Sequence, residues 1–351
     1  MTDLHAPTPE TRQALRLGSY PTPLRRLHGP AGAAHDIWLK DDGHTAALYG
    51  GNKVRKLERL LALATRRGAL RLLTMGAAGS HHVLATCLYG RRLGLPTRAV
   101  LTPQPWTPHA EATLRAGVHA GLEAVPATSY LDALLRVKRE RHARDFVIGP
   151  GGCGSEGTWA YCLAVQELRQ QLAAHGIERL DAIVVAAGSG STAAGLLAGV
   201  LRTPIADRVI AVQIAHNPAL RSMILGQALY SLWRHGHPPR ALEALRSLRI
   251  DERFVGEGYG HASELGDQAA ELARSFGLRL EPTYTAKAFA CTLSWAQATR
   301  PERDRCKLRL HQRRTYLYWH TLSSVPLTAL LEGASETLPS ELALLLPKRY
   351  P

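Results

Sequence analysis

The chain has 351 residues, of which 45% are hydrophobic and 21% charged. That is ordinary globular composition and enough length for two domains, so a core can form without a disulfide framework or a structural metal. The formal net charge is +14 with an isoelectric point near 9.9, but arginine is spread along the whole chain and aromatic residues make up only 6%, which argues against a nucleic-acid footprint and for an Arg-rich surface from composition bias, with a positive field toward anionic ligands as a lesser consequence.

The first fifteen residues lack the apolar core and cleavage pattern of a secretory signal. Cys87, Cys153, Cys162, Cys291 and Cys306 are odd in number and scattered, with no C-x-x-C pair, so free thiols in a reducing, cytoplasmic setting are expected. Short apolar runs then alternate with helical stretches. Strands are expected at 69–76, 97–102 and about 123–127, with helices at 80–93, 109–119 and 129–143 between and after them. A strand at 146–152 leads to a long amphipathic helix that Ser155 caps and Gly176 ends. Residues 182–201 carry no charge over a bilayer's thickness, but GSGST interrupts them. A buried strand, a glycine loop and a buried helix are therefore expected there, not a membrane span. Strands follow at 207–216 and 315–320, while the charged segment 299–314 reads as a solvated connection. The alternation implies α/β architecture with mainly parallel sheets flanked by helices, and ligands at the carboxyl ends of the strands.

Three glycine-punctuated segments fall at such ends. Gly188, Ser189, Gly190, Ser191 and Thr192 open an apolar helix, and small residues there let backbone N–H groups approach an anion. No lysine follows as in a P-loop, and Gly188, Gly190 and Gly195 miss the dinucleotide spacing. Read locally, the segment is a phosphate cradle or a packing turn. In GGNKVRKLE, residues 50–58, Lys53 enters a helix where the N-terminus already carries positive potential. That suits a neutral amine used as nucleophile or Schiff base; the local alternative is a surface lysine. In GAAGSHH, residues 76–82, Ser80, His81 and His82 are candidates for acid–base or anion-binding work, or for capping and packing. No H-E-x-x-H metal pattern and no G-x-S-x-G elbow occurs, so no metal is expected.

In this order the segments resemble the fold type II pyridoxal-phosphate (PLP) enzymes, which are tryptophan synthase β-like, and within them the D-cysteine desulfhydrase and 1-aminocyclopropane-1-carboxylate (ACC) deaminase family. The resemblance runs from YPTPL at 20–24 to about residue 331, through IWLKDD at 37–42, GGNKVRKLE, GAAGSHH, GPGGCGSEG at 149–157, GSGST, EGYG at 257–260, PTYTAKA at 282–288 and YWHT at 318–321. It implies Lys53 as the Schiff-base lysine and Gly188 to Thr192 as the holder of the cofactor phosphate. It places Ser80, His82 and Thr285 beside the substrate, Tyr259 and Tyr284 around the ring as catalytic groups with Ser80, and His81 and Thr321 against the cofactor. A large domain of residues 1–53 and 166–351, a smaller inserted domain of 54–165, and a homodimer are further implications.

Thr285 and Thr321 match the desulfhydrase-like pattern where ACC deaminases carry Glu and Leu. The expected reaction is β-elimination from a small amino acid such as D-cysteine, giving a 2-oxo acid and ammonia. Two departures keep ACC deamination or a diverged PLP reaction open. His81 stands for the family's asparagine, and Leu322 and Ser323 replace a glycine pair. A non-catalytic basic binding protein is the reading of another class, resting on the charge alone.

Overall fold

A computed structural model describes residues 15–27, 36–298 and 314–348. The order begins with β1 (Leu24–Leu27), β2 (Asp36–Asp41) and α1 (Asn52–Arg66). Next come β3 (Arg71–Ala77), α2 (His81–Arg92), β4 (Thr97–Thr102), α3 (Pro108–His119), β5 (Glu123–Pro126), α4 (Tyr130–Glu140) and β6 (Asp145–Val147). The long α5 (Ser155–Ala174) leads to β7 (Leu180–Ala187), α6 (Ser191–Arg202), β8 (Ala206–Gln213), α7 (Leu220–Arg234), α8 (Ala241–Ser247) and β9 (Leu248–Asp251). The chain continues through α9 (Glu264–Ser275), α10 (Thr285–Gln297), β10 (Thr315–His320), α11 (Leu327–Leu330) and α12 (Ser340–Ala343). Apart from Arg314, the charged segment expected as a solvated connection lies outside the described residues.

Two sheets result. The larger has the order β1-β2-β10-β7-β8-β9 and the smaller β5-β4-β3-β6. All pairings are parallel except β1 with β2. Both faces of the large sheet are covered, which is why its strands read as continuous apolar runs. Along β7, Ile183 and Val185 join one core cluster while Val184 and Ala186 join another; along β10, Leu317 and Trp319 oppose Tyr316 and Tyr318 in the same way. Helices α5, α6 and α7 close the first face, with α9 and α10 on the second. A third cluster beneath α1 and α2 joins Val54, Leu57 and Leu61 to Leu72, Leu84 and Tyr89 of the small-sheet unit.

Two local expectations are corrected. The strand at 146–152 ends at Val147, because Pro150–Gly152 turns as a short 3-10 helix with Gly151 at φ 66°. Ser155 does not cap α5. Gly154 holds that position at φ 129°, a conformation only glycine takes readily, and no side chain caps the helix. Gly176 does follow the helix end with φ 69°, as expected of a terminating glycine. Trp159, Tyr161, Cys162 and Val165 of α5 pack in the first face of the large sheet. No helix among the described residues is long and apolar enough to cross a membrane.

Candidate active site

Because β2, β10 and β7 are adjacent and parallel, their carboxyl ends lie side by side. Each end delivers one part of the site. After β2 the chain turns through Asp42 and Gly43 to residues 50–53; after β10 comes Thr321; after β7 come Gly188 to Thr192. Close backbone packing explains the two glycines before Lys53. A Cβ on Gly50 would stand 1.9 Å from the Gly43 carbonyl oxygen, and one on Gly51, at φ 90°, 2.7 Å from the Thr321 oxygen. Gly51 N–H donates to Asp42 O (2.8 Å) and Asn52 N–H to Thr321 O (3.1 Å). The start of α1 is thereby sewn to the ends of β2 and β10, with Lys53 in its first turn.

A buried polar network holds that orientation. Asp42 accepts from Arg55 Nη2 (2.9 Å), Tyr161 Oη (2.6 Å), Trp319 Nε1 (2.8 Å) and Thr22 Oγ1 (3.0 Å). Burial pushes its carboxyl up, and the Arg55 guanidinium more than reverses this, so it stays low. Glu167 bridges Arg55 and the buried Lys40. Truncating one member would leave a buried charge unpaired.

Lys53 itself is half-buried. Exclusion of water lowers its ammonium pKa to about 8, against the opposing pull of the Glu281 carboxylate. The expectation of a lysine biased toward the free amine thus has a local cause. Glu281 accepts from the backbone N–H groups of Thr283, Tyr284 and Thr285 at 2.7–2.8 Å, capping α10.

The loop 188–192 lies against Lys56, which the motif reading passed over. Lys56 Nζ is fully buried, donating to Ser191 Oγ (2.6 Å) and Gly151 O (3.1 Å). Burial first, and then the Lys53 charge, push its pKa well down. No carboxylate pairs with it among the described residues. The N-terminus of α6 begins at Gly190, φ 79°, and no side chain caps it. A buried lysine amine with no carboxylate partner, beside an uncapped helix start, fits a phosphate, whose negative charge would favour its ammonium form. Asn52 Nδ2 donates to Thr192 Oγ1 (3.0 Å), tying the lysine segment to the loop, and Gln227 Nε2 holds Ser189 O (3.0 Å). The signal for Lys56 was present in sequence, three residues after Lys53 on one helix face; its reach across to α6 was not.

Around this centre, Tyr284 Oη donates to Tyr259 Oη (3.2 Å), with the rings edge to face. Burial raises both phenols, Tyr259 to about 12 and Tyr284 well above its ordinary value, so both stay neutral at pH 7. Gly188 packs on Tyr284, since a Cβ there would meet Cε1 at 3.1 Å. Ser80 is the N-cap of α2, its Oγ accepting from Val83 N–H (3.4 Å). His82 Nε2 meets Thr74 Oγ1 at 2.9 Å while its Nδ1 is buried without a partner. Burial, then Lys53 and Lys56, push its pKa well down. His81 is tied to Tyr49 and His109. The Thr285 hydroxyl is engaged locally, accepting from Glu281 N–H at 2.8 Å. Thr321 is half-buried beside Asn52, and Leu322 is buried, its carbonyl oxygen 2.8 Å from where a Cβ on Gly43 would stand.

What such a place can hold is a ligand with a carbonyl for the amine and an anion for the cradle. A cofactor-dependent α/β enzyme is the class this defines. The chain belongs to the pyridoxal-phosphate dependent enzyme family, whose model it matches over residues 15–306. It is 31% identical over 319 residues to a D-cysteine desulfhydrase of Salmonella paratyphi B, covering 85% of this chain and 92% of the relative. Among solved structures it is similar to an ACC deaminase homologue, with a TM-score of 0.73 and 27% identity over 91% of this chain and 96% of the other. A hydrogen sulfide-producing enzyme from Fusobacterium nucleatum shares the fold with a TM-score of 0.60 at 14% identity, covering 88% of this chain and 96% of that one. The protein is thus a PLP-dependent enzyme of the type II fold, and the reading as a non-catalytic binding protein is set aside.

Proposed function

We propose that the chain is a PLP-dependent lyase that eliminates a good leaving group from Cβ of a small amino acid, with D-cysteine as the favoured substrate. The observation that carries this is Lys53 in the first turn of α1, its ammonium pKa lowered to about 8 by burial, three residues before Lys56, whose Nζ donates to Ser191 Oγ of the anion cradle. PLP bound there supplies an electron sink for charge developing at the substrate Cα. Lys53 Nζ holds the cofactor and, when free, takes the Cα proton. The N–H groups of Gly188 to Thr192, with Lys56, hold the phosphate. Ser80 and His82, from the other sheet unit, face the substrate carboxylate, and Asn52 and Glu281 keep Lys53 and Tyr284 in register.

The neutral phenols of Tyr259 and Tyr284 exclude water while keeping one proton available near the leaving group. Thr285 acts through Glu281, since its hydroxyl is already engaged. Thr321, carried over from the resemblance, stands near the pyridine nitrogen. An uncharged partner there suits elimination of a stable thiolate better than opening of an unactivated ring, which favours the desulfhydrase reaction over ACC deamination.

The test is Lys53→Ala incubated with PLP and D-cysteine, alongside the parent and a panel of L-cysteate, β-chloro-D-alanine, D-serine and ACC. Loss of pyruvate release is expected. Release at the parent rate refutes the assignment, and parent activity on ACC alone transfers it to deamination. We further propose a domain division at residues 1–53 with 166–351 against 54–165, a homodimer, and a reducing cytoplasmic setting. The thiols of Cys87, Cys153, Cys162 and Cys291 are unpaired, which fits that setting. Light scattering on the purified protein checks the dimer.

A further inference from the structure

A hydrogen-bonded chain runs through the wall of the site beside Lys53. Tyr49 Oη lies 2.5 Å from His81 Nδ1, and His81 Nε2 lies 2.9 Å from Nε2 of His109. These residues come from three places: the turn before α1, the first position of α2 and the first turn of α3. Proton counting fixes the direction of every bond. Tyr49 is 2% exposed, and its phenol meets only His81 among the described residues. If His81 donated from Nδ1, the phenol proton would be buried without an acceptor, which is costly. Tyr49 therefore donates to Nδ1. His81 then carries its proton on Nε2 and donates to His109, which is left with its own proton on Nδ1.

Both nitrogens of His81 are then engaged. The arrangement belongs to the neutral pair: a proton on His109 Nε2 sets that N–H against His81 Nε2–H, and one on His81 Nδ1 turns the phenol from donor to acceptor and leaves its own proton buried without a partner. The surroundings favour neutrality. Burial, then His109, Lys53 on α1 and Arg279 before α10 all push the His81 pKa well down. His109 is lowered by burial, with Glu281 opposing and Arg279 adding to it. Glu281 and Arg279 also face Tyr49, whose phenol burial keeps protonated.

We propose that His109 is a positioning residue that acts through His81, locking it with Tyr49 in the Nε2–H tautomer so that no free ring nitrogen faces the ligand over Lys53, and releasing it when the pair takes up a proton. This rests on the reading of Lys53 as the cofactor lysine. It changes the part expected of His81, from a direct hydrogen-bond partner of the cofactor to a fixed wall.

The experiment uses full-length protein labelled with 15N-histidine, before and after loading with PLP, with the His81 signals assigned by their loss in His81→Asn. A protonated Nε2 and an unprotonated Nδ1 are expected in both states, unchanged from pH 8 down to the ordinary histidine pKa of about 6.5. PLP titration follows by absorbance. His109→Phe, which has no acceptor, weakens binding about tenfold, while His109→Gln, whose amide oxygen accepts from Nε2–H, stays within about twofold of the parent. A proton on His81 Nδ1, averaging between tautomers, free titration near 6.5, or equal weakening by both variants overturns the proposal. If the parent fails to bind PLP through Lys53, the proposed function falls, and the tautomer in the unloaded protein still decides the chain.

Discussion

Stripped of PLP, the protein offers Lys53 as an amine with a pKa of about 8, against about 10.4 for an ordinary lysine. At pH 7 about one Lys53 in ten is then neutral, compared with about one in 2,500 for the ordinary group, a gain of roughly 200-fold in free amine. Limiting acetic anhydride across pH 6 to 11, with N-acetyl-lysine as internal reference and peptide mapping by mass spectrometry, reads that fraction directly. Labelling of Lys53 is expected to reach half its plateau near pH 8, two pH units or so before the reference. Glu281→Gln removes the charge that supports the ammonium form, so its half-point moves below that of the parent. The amide also turns a donor toward Thr283 N–H, so fraying at the start of α10 accompanies the shift. Labelling of parent Lys53 that rises only with the reference would refute the account of burial as the activating influence, whatever the enzyme's activity.

Gly50→Ala sets a Cβ 1.9 Å from a backbone oxygen that cannot move cheaply, and a loss of about 2–3 kcal/mol in urea unfolding is expected. Lys287→Met removes a fully buried ammonium that donates to Val255 O (2.6 Å) and Gly258 O (2.8 Å), just before Tyr259. Hydrogen exchange should quicken across residues 252–262, with a loss of about 2 kcal/mol; unchanged protection there would show that the loop does not depend on this lysine. His81, His82 and His320 are held neutral by burial, with pKa values below the ordinary one. Below about pH 6.5 the unfolded chain takes up protons that the folded chain refuses, so stability falls as pH falls from there. Melting temperatures at pH 7.5 and 5.5 check this, and equal values would contradict it.

Local pattern made much of this molecule legible. The alternation of strand and helix from residue 69 to 202 follows the sequence closely, because a two-residue or 3.6-residue apolar period is a property of the chain itself. GSGST at a strand end and Lys53 at a helix mouth were visible for the same reason. Residues 36–41 and 248–251 gave no such signal, and they become strands only because a neighbour supplies the ladder. Ser155 looks like a cap by type, but Gly154 takes the cap position and leaves Ser155 as the first residue inside the helix. What Lys56, Glu281 and the Tyr49–His81–His109 chain reach could not be read in sequence. Their meaning depends on groups 28 to 228 positions away, brought together at the carboxyl ends of parallel strands. Residue types set which chemistry was possible, whereas burial and proximity, which exist only in the folded chain, decided which lysines are pushed toward the free amine and which histidines are held neutral.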